Sequence, residues 1–315
     1  MGGTRCSGAG GTRRGILARA ALLLALALGL ACSPKRYALN KLADALAATG
    51  DSVRTDDDPD LVRDAAPFSL KLYESVLAQA PRHRGLLLAA ASGFTQYAYA
   101  FVQEEADEAE EADLAKARAL RVRARRLYLR ARGYGMRGLE VAHPGFEGAL
   151  ARDPAAAAAC TAQDVPLLYW TAAAWGSAIA LSKDDPGRVA ELPQVEALLG
   201  RALALDEGFD HGALHTLMIT FVTAKPGAAP AASAAEARRH FERAVALSEG
   251  RAAGPYVALA EGVAVPVQDR KAFASLIEKA LAVDPDAWPD WRLMNLVTQR
   301  RARWLAGRAD ALFIE

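Results

Sequence analysis

The sequence predicts an all-α protein whose helices stack in pairs, and three observations predict it. Apolar residues recur three and four positions apart almost everywhere beyond Cys32, with Ala, Leu, Arg and Glu dominant and no runs of alternating β-branched residues. Helix starts are written into the chain: in DDDPDLVRDAAPF, Asp58 is an N-cap with Pro59 at the first helical position, and Ser233 to Glu236 reads as a capping box. Third, the chain repeats itself. Arg201-Ala-Leu-Ala-Leu-Asp206, Arg243-Ala-Val-Ala-Leu-Ser248 and Lys279-Ala-Leu-Ala-Val-Asp284 share one pattern at spacings of 42 and 36 residues, each followed by a turn and another apolar helix.

Ser75 to Ala91 is a fainter fourth copy. These periods bracket the roughly 34 residues of a tetratricopeptide repeat with small insertions. The motif fits the end of the second helix of such a repeat, where alanines allow close packing and aliphatic residues fill the groove between neighbours. The expected architecture is therefore all-α, with stacked tetratricopeptide-like helix pairs between N- and C-terminal capping helices.

From the N-terminus, Arg13 and Arg14 precede an apolar stretch whose clean part, Ala20 to Ala31, is too short to span a bilayer and ends in small residues before Cys32. Residues 1–31 read as an export signal of the lipoprotein type, Cys32 as the lipid-bearing residue, and residues 32–315 as one helical domain. A lipobox usually has an aliphatic residue where Gly29 stands. TRRGIL (Thr12 to Leu17) is similar to a twin-arginine signal, so the export route stays open, and an uncleaved N-terminal helix is the alternative to cleavage. Ser33 after the cysteine permits outer-membrane delivery under the sorting rule of enteric bacteria.

Removing the signal turns the formal charge of +1 into 34 basic against 37 acidic residues, a net of −3. Neither value makes a field that would recruit nucleic acid. Cys160 remains as the one cysteine besides Cys32, so the exported fold rests on packing and Cys160 is expected as a small buried hydrophobe. Pro67 is expected to kink or restart the helix that follows Pro59. The acidic block Glu104 to Asp113 and the Arg-rich segment Arg118 to Arg137 read as two arms of a helical hairpin, their charges facing each other, a partner or solvent.

The segment Val165 to Ser182 has eighteen uncharged residues, at the lower edge of a membrane span. Its Pro166, Gly176, hydroxyl residues and interior tryptophans argue instead for a central helix buried all round. Trp170 and Trp175, five positions apart, point about 140° away from each other, so they cannot share one narrow stripe. Plain core packing is the first reading of both, and the sharper alternative is that one of them lines a groove or bore for a ligand. Trp175 is favoured, because Thr171 lies one turn away on its face and offers a polar contact. Tyr169 and His215 join Trp170, Thr171 and Trp175 as candidate ligand-binding residues. His211 and His215 have the i, i+4 spacing of metal ligands but no intervening Glu, and packing is the favoured role of His215. No nucleophile triad, phosphate loop or paired active-site carboxylates stand out, so the reading is a binding protein without cofactor, metal or catalysis.

Four separated motifs point to a family: Asp56 to Pro81, RLYLRARGY (Arg126 to Tyr134), LYWTAAAWG (Leu168 to Gly176) and FDHGALH (Phe209 to His215). Together, and in this order, they resemble the T component of tetratricopeptide-repeat-associated TRAP transporters, the TatT family. The resemblance runs from about Ala43 to the C-terminal ADALF. It implies an α-helical lipoprotein on the periplasmic side that partners a TRAP-type solute-binding protein. It also implies a ring-like trimer with a pore and a neighbouring cleft for an apolar or amphipathic ligand. A repeat scaffold for envelope assembly is the alternative function, with a hydrolase acting through His215 a weaker one. If Cys32 carries the lipid, Cys32→Ala is expected to move the protein from the membrane to the soluble fraction, because acyl chains are the long apolar anchor; an unchanged membrane fraction on cell fractionation contradicts this.

Overall fold

The computed structural model describes residues 34–314 together with Gly2. Cys32 and, Gly2 apart, the expected signal segment lie outside the described residues. The structure is 80% helical with no strand among the described residues, so the all-α expectation holds.

Capping helix α1 (Pro34–Ala47) precedes five antiparallel pairs: α2 (Pro59–Leu77) with α3 (Arg84–Ala109), α4 (Leu114–Ala142) with α5 (Val165–Ala180), and α6 (Leu192–Leu205) with α7 (Ala213–Ala224). Next come α8 (Pro230–Leu247) with α9 (Gly254–Leu259, prolonged by Ala260–Ala264), then α10 (Arg270–Ala282) with α11 (Arg292–Gly307). A short terminal helix, Ala309–Leu312, follows. The odd-numbered helices form one continuous layer, α3 on α5, α5 on α7, α7 on α9 and α9 on α11, with the even-numbered helices outside it.

Local chemistry explains several boundaries. Asp58 caps α2 as expected, its carboxylate accepting from the Asp60 and Leu61 amides. Pro67 sits within α2 without dividing it. The expected capping box at Ser233 is not used: Pro230 starts α8 one turn earlier with a fixed helical φ, so Ser233 falls inside the helix. α3 and α9 each carry a π-helical turn, at Ala98–Gln103 and Ala260–Ala264. α3 is long and apolar enough to cross a membrane, but α1, α2, α4 and α5 cover it. The uncharged stretch of α5 is likewise interior.

The repeat motif ends α6, α8 and α10, and its purpose is visible. Ala202, Ala244 and Ala280, the residue after each basic position, are all 0% exposed. The basic residues tie a repeat to the preceding turn: Arg201 donates to the Cys160 carbonyl at 2.9 Å through Nε, and Arg243 pairs with Glu207. Cys160 is fully buried, and burial pushes its thiol up to about 12.

α4 and α5 approach closely because glycine permits it. A Cβ on Gly135 would lie 2.1 Å from Thr171 Oγ1, and one on Gly138 2.6 Å from the Leu167 side chain. Gly135→Ala is expected to lower stability by about 1–3 kcal/mol in denaturant unfolding despite alanine's better helix propensity, with part of the loss recovered by adding Thr171→Ala. A stability equal to or above the parent's contradicts this packing.

The chain closes on itself. Arg300 pairs with Glu108 at 2.8 Å and Arg301 with Asp107 at 3.0 Å, joining α11 to the end of α3 across 192 and 194 residues of sequence. Arg308 pairs with Glu111 beside them. At the other end of α11, Arg292 donates to the Thr55 carbonyl at 3.1 Å and Arg54 to that of Asp290 at 3.2 Å. The acidic block does meet the Arg-rich helix, through Arg121 with Asp107 and Glu110 and Lys116 with Glu105. Glu108 and Glu111, with Asp107, hold the C-terminal helix.

Candidate ligand-binding site

The layer of odd-numbered helices supplies a wall. α3 keeps a stripe of partly exposed residues at helical spacing, Leu88, Ser92, Gln96, Tyr99 and Gln103, and α5 does the same with Tyr169, Trp170, Gly176 and Ser177. Thr216 and Leu217 continue it on α7. Tyr99 and Tyr169 retain solvent contact, yet burial is the largest cause pushing both phenols far above their ordinary value. Both side chains are therefore deep without being sealed from solvent. Hydroxyls, amides and aromatic faces alternate along this wall, which suits a ligand with both apolar and polar parts.

Aromatic rings concentrate at one end. Tyr169 meets Trp170 edge-on at 4.8 Å between centroids and Phe209 at 5.4 Å. Beyond Phe209, Asp210 and His211 have φ of 43° and 52°, and Gly212 follows at 92°. Two successive non-glycine residues in the left-handed region carry strain of about 1–3 kcal/mol each. Their side chains compensate. Asp210 Oδ1 accepts from Arg54 at 2.8 Å and from Trp291 Nε1 at 3.2 Å, while His211 sits edge-on to Trp288 at 4.1 Å and Trp291 at 5.9 Å. Gly212 is required where it stands, because its Cα lies against Ala244 and a Cβ there would be 3.2 Å from the Ala244 Cα. This turn ties α5, the α6–α7 connection, the segment before α11 and the Gly50–Arg54 helix together beside Tyr169.

The five candidate side chains from the sequence thus separate. Tyr169 and Trp170 are half-buried on the wall. Thr171 and Trp175 instead face α4. Thr171 is 0% exposed against Gly135, its hydroxyl without a partner. Trp175 is 4% exposed, donates from Nε1 to Glu191 at 2.6 Å and lies under the Arg132 guanidinium at 4.3 Å. They share a face as the spacing requires, and that face is turned to the neighbouring helix by the small residues that let α4 approach. His215 is buried beside His240, with Nδ1 to Nδ1 2.9 Å, so only one of these nitrogens bears the proton. Burial lowers both imidazoles below their ordinary value, against the raising pull of Glu207 on His215. The left-handed turn directs His211 to the tryptophans and His215 to α8, so the two do not converge as metal ligands.

Phe209, Trp288, Trp291 and Arg54 joined this neighbourhood unannounced. The signal available was FDHG between two turn glycines, whose strain depends on tertiary contacts. A second cluster joins His143, Cys160 and Asp164. Asp164 accepts from Thr161 N at 2.7 Å, Thr161 Oγ1 at 2.9 Å, His143 Nε2 at 2.9 Å and Arg84. Three of those bonds fall on Oδ2 and one on Oδ1, the Arg84 cation opposes a second cation, and burial pushes the Cys160 thiol up. The cluster is a polar anchor for the loop before α5.

Residues 55–313 match the family model described as TRAP transporter T-component. The chain belongs to that family. The T component is also 30% identical over 303 residues to an uncharacterized protein of Treponema pallidum (strain Nichols), covering 90% of this chain and 94% of the relative. The match spans every helix pair, so wall, strained turn and closing helix all lie within the family region.

Truncation separates the two tryptophans of α5 in this T component. Trp175→Ala is expected to cost about 3–5 kcal/mol, as an enclosed ring with a charged hydrogen bond, and Trp170→Ala only about 1–2 kcal/mol. Equal losses in denaturant melts contradict the placement of Trp170 on the wall.

Proposed function

We propose that this T component is a non-enzymatic, lipid-anchored subunit on the periplasmic side of the envelope, held in the outer membrane through Cys32. It docks the solute-binding protein of a TRAP-type uptake system and holds or passes on an amphipathic ligand. The family assignment supports the transport role. The observation that carries the ligand part is the pair Tyr99 and Tyr169, deep yet in contact with solvent on the two packed helices α3 and α5. Tyr169, Trp170 and Phe209 offer an apolar end and Gln96, Gln103 and Ser177 a polar one, so the ligand that fits has one apolar and one hydrogen-bonding part. The helix pairs are read as tetratricopeptide-like repeats, whose odd-numbered layer would be the concave face. A trimer, as the TatT resemblance implies, would set several such walls side by side.

The test combines partner and ligand. Mature protein is expected to co-purify a TRAP solute-binding protein from its own envelope extract, and a single-chain amphiphile is expected to change tryptophan fluorescence in the parent and in Trp175→Phe but not in Trp170→Phe. Recovery of envelope-assembly factors instead of the binding protein supports the scaffold reading. Fluorescence indifferent to every amphiphile removes the ligand role.

A further inference from the structure

At the seam between α3 and α11 one carboxylate is left over. Glu104 lies just beyond the π-turn of α3, is 2% exposed, and has both carboxyl oxygens buried without a hydrogen-bond partner. The guanidiniums that would serve it are committed. Arg300 holds Glu108, and Arg301, 14% exposed, bridges Asp107 at 3.0 Å and Glu261 at 2.7 Å. Glu261 comes from the second π-turn, on α9. From α4, Arg121 is occupied by Asp107 and Glu110, and the Tyr128 hydroxyl donates to Gln103 at 2.8 Å. Tyr99 stands one turn before Glu104, and Asp60 of α2 acts on Arg300 from outside. Every cation facing Glu104 already has an acid of its own. Solvent does not reach its oxygens, so a bulky ligand cannot, but a proton can.

We propose that Glu104 is a proton-operated latch on the α3–α11 closure: protonated it leaves the Arg300 and Arg301 pairs intact, and ionised it opens the seam. Two π-turns meeting at one charged cluster support a functional origin, since such turns recur at sites where a helix departs from its ladder for a purpose. An ionised carboxylate without a partner inside protein is strongly unfavourable. Its least costly relief is local separation of α11 from α3, which admits water. Burial raises the Glu104 carboxyl from 4.5 to about 8, against the lowering pull of Arg301 and Arg300. The native state thus holds this proton more tightly than the unfolded chain. The contribution is full below the unfolded value of about 4.5 and is lost as pH rises through the folded value.

Hydrogen–deuterium exchange of the whole mature chain, corrected for the intrinsic pH dependence of amide exchange, tests this at about pH 6 and about pH 9. In the parent, peptides covering residues 98–111 and 292–308 are expected to lose protection at least several-fold at the higher pH, while peptides of α6 to α8 do not. Glu104→Gln, which keeps the shape and removes the titration, is expected to hold the same protection at both. Glu261→Gln is expected to retain the parent's pH response. A difference infrared spectrum at the lower pH is expected to show one protonated-carboxyl band that Glu104→Gln removes. Seam protection that changes equally with pH in parent and Glu104→Gln overturns the proposal, as does the absence of that band.

Discussion

The structure depends on the ion pairs that hold α11 against the end of α3. Stacked helix pairs are quasi-one-dimensional, and each layer touches only its neighbours unless something joins the ends. Here Arg300, Arg301 and Arg308 reach back across 192, 194 and 197 residues to Glu108, Asp107 and Glu111. Arg301 is the decisive member, since it is mostly enclosed and grips acids from two different helices. A pair so enclosed adds modest net stability over an apolar substitute, but removing one partner leaves an uncompensated buried charge. Its effect is on arrangement: with α11 fixed to α3 and Arg54 fixed to Asp210 and Asp290, the odd-numbered helices are held around a common interior.

That constraint gives the interior its chemistry. A free stack would leave the residues of its concave face in open water, where a half-buried Trp170 has little purpose. Here Tyr169 feels burial, Asp210 and Arg54 together, and the aromatic end of the wall abuts a turn whose strained backbone is held only by contacts from three other parts of the chain. The half-buried aromatic wall and the strained turn are thus products of long-range contacts.

Legibility in the sequence follows the same division. Whatever depends on local chemistry was readable: the helical period, the Asp58 cap, and the repeat motif whose alanines prove fully buried. The aromatic helix was correctly placed as interior, and Tyr169 and Trp170 reach the wall. Which of Trp170 and Trp175 stays half-buried was not readable, for a physical reason. Periodicity shows that the rings diverge but not which of them meets α4, and that was decided by Gly135 and Gly138 on another helix. Glu104 was invisible in the same way: within EEADEAEEAD its charge looks like its neighbours', and only the folded chain leaves this one acid buried without a hydrogen-bond partner.

A double-mutant cycle on Asp107 and Arg301 tests the closing role most directly, with Asp107→Asn, Arg301→Gln and the double variant compared by denaturant unfolding at neutral pH. The account predicts that each single change is destabilising and that the double variant loses less than the sum, by a coupling of about 1–3 kcal/mol. Strict additivity, with a coupling near zero, would mean that α11 is held by apolar packing alone and would contradict the account.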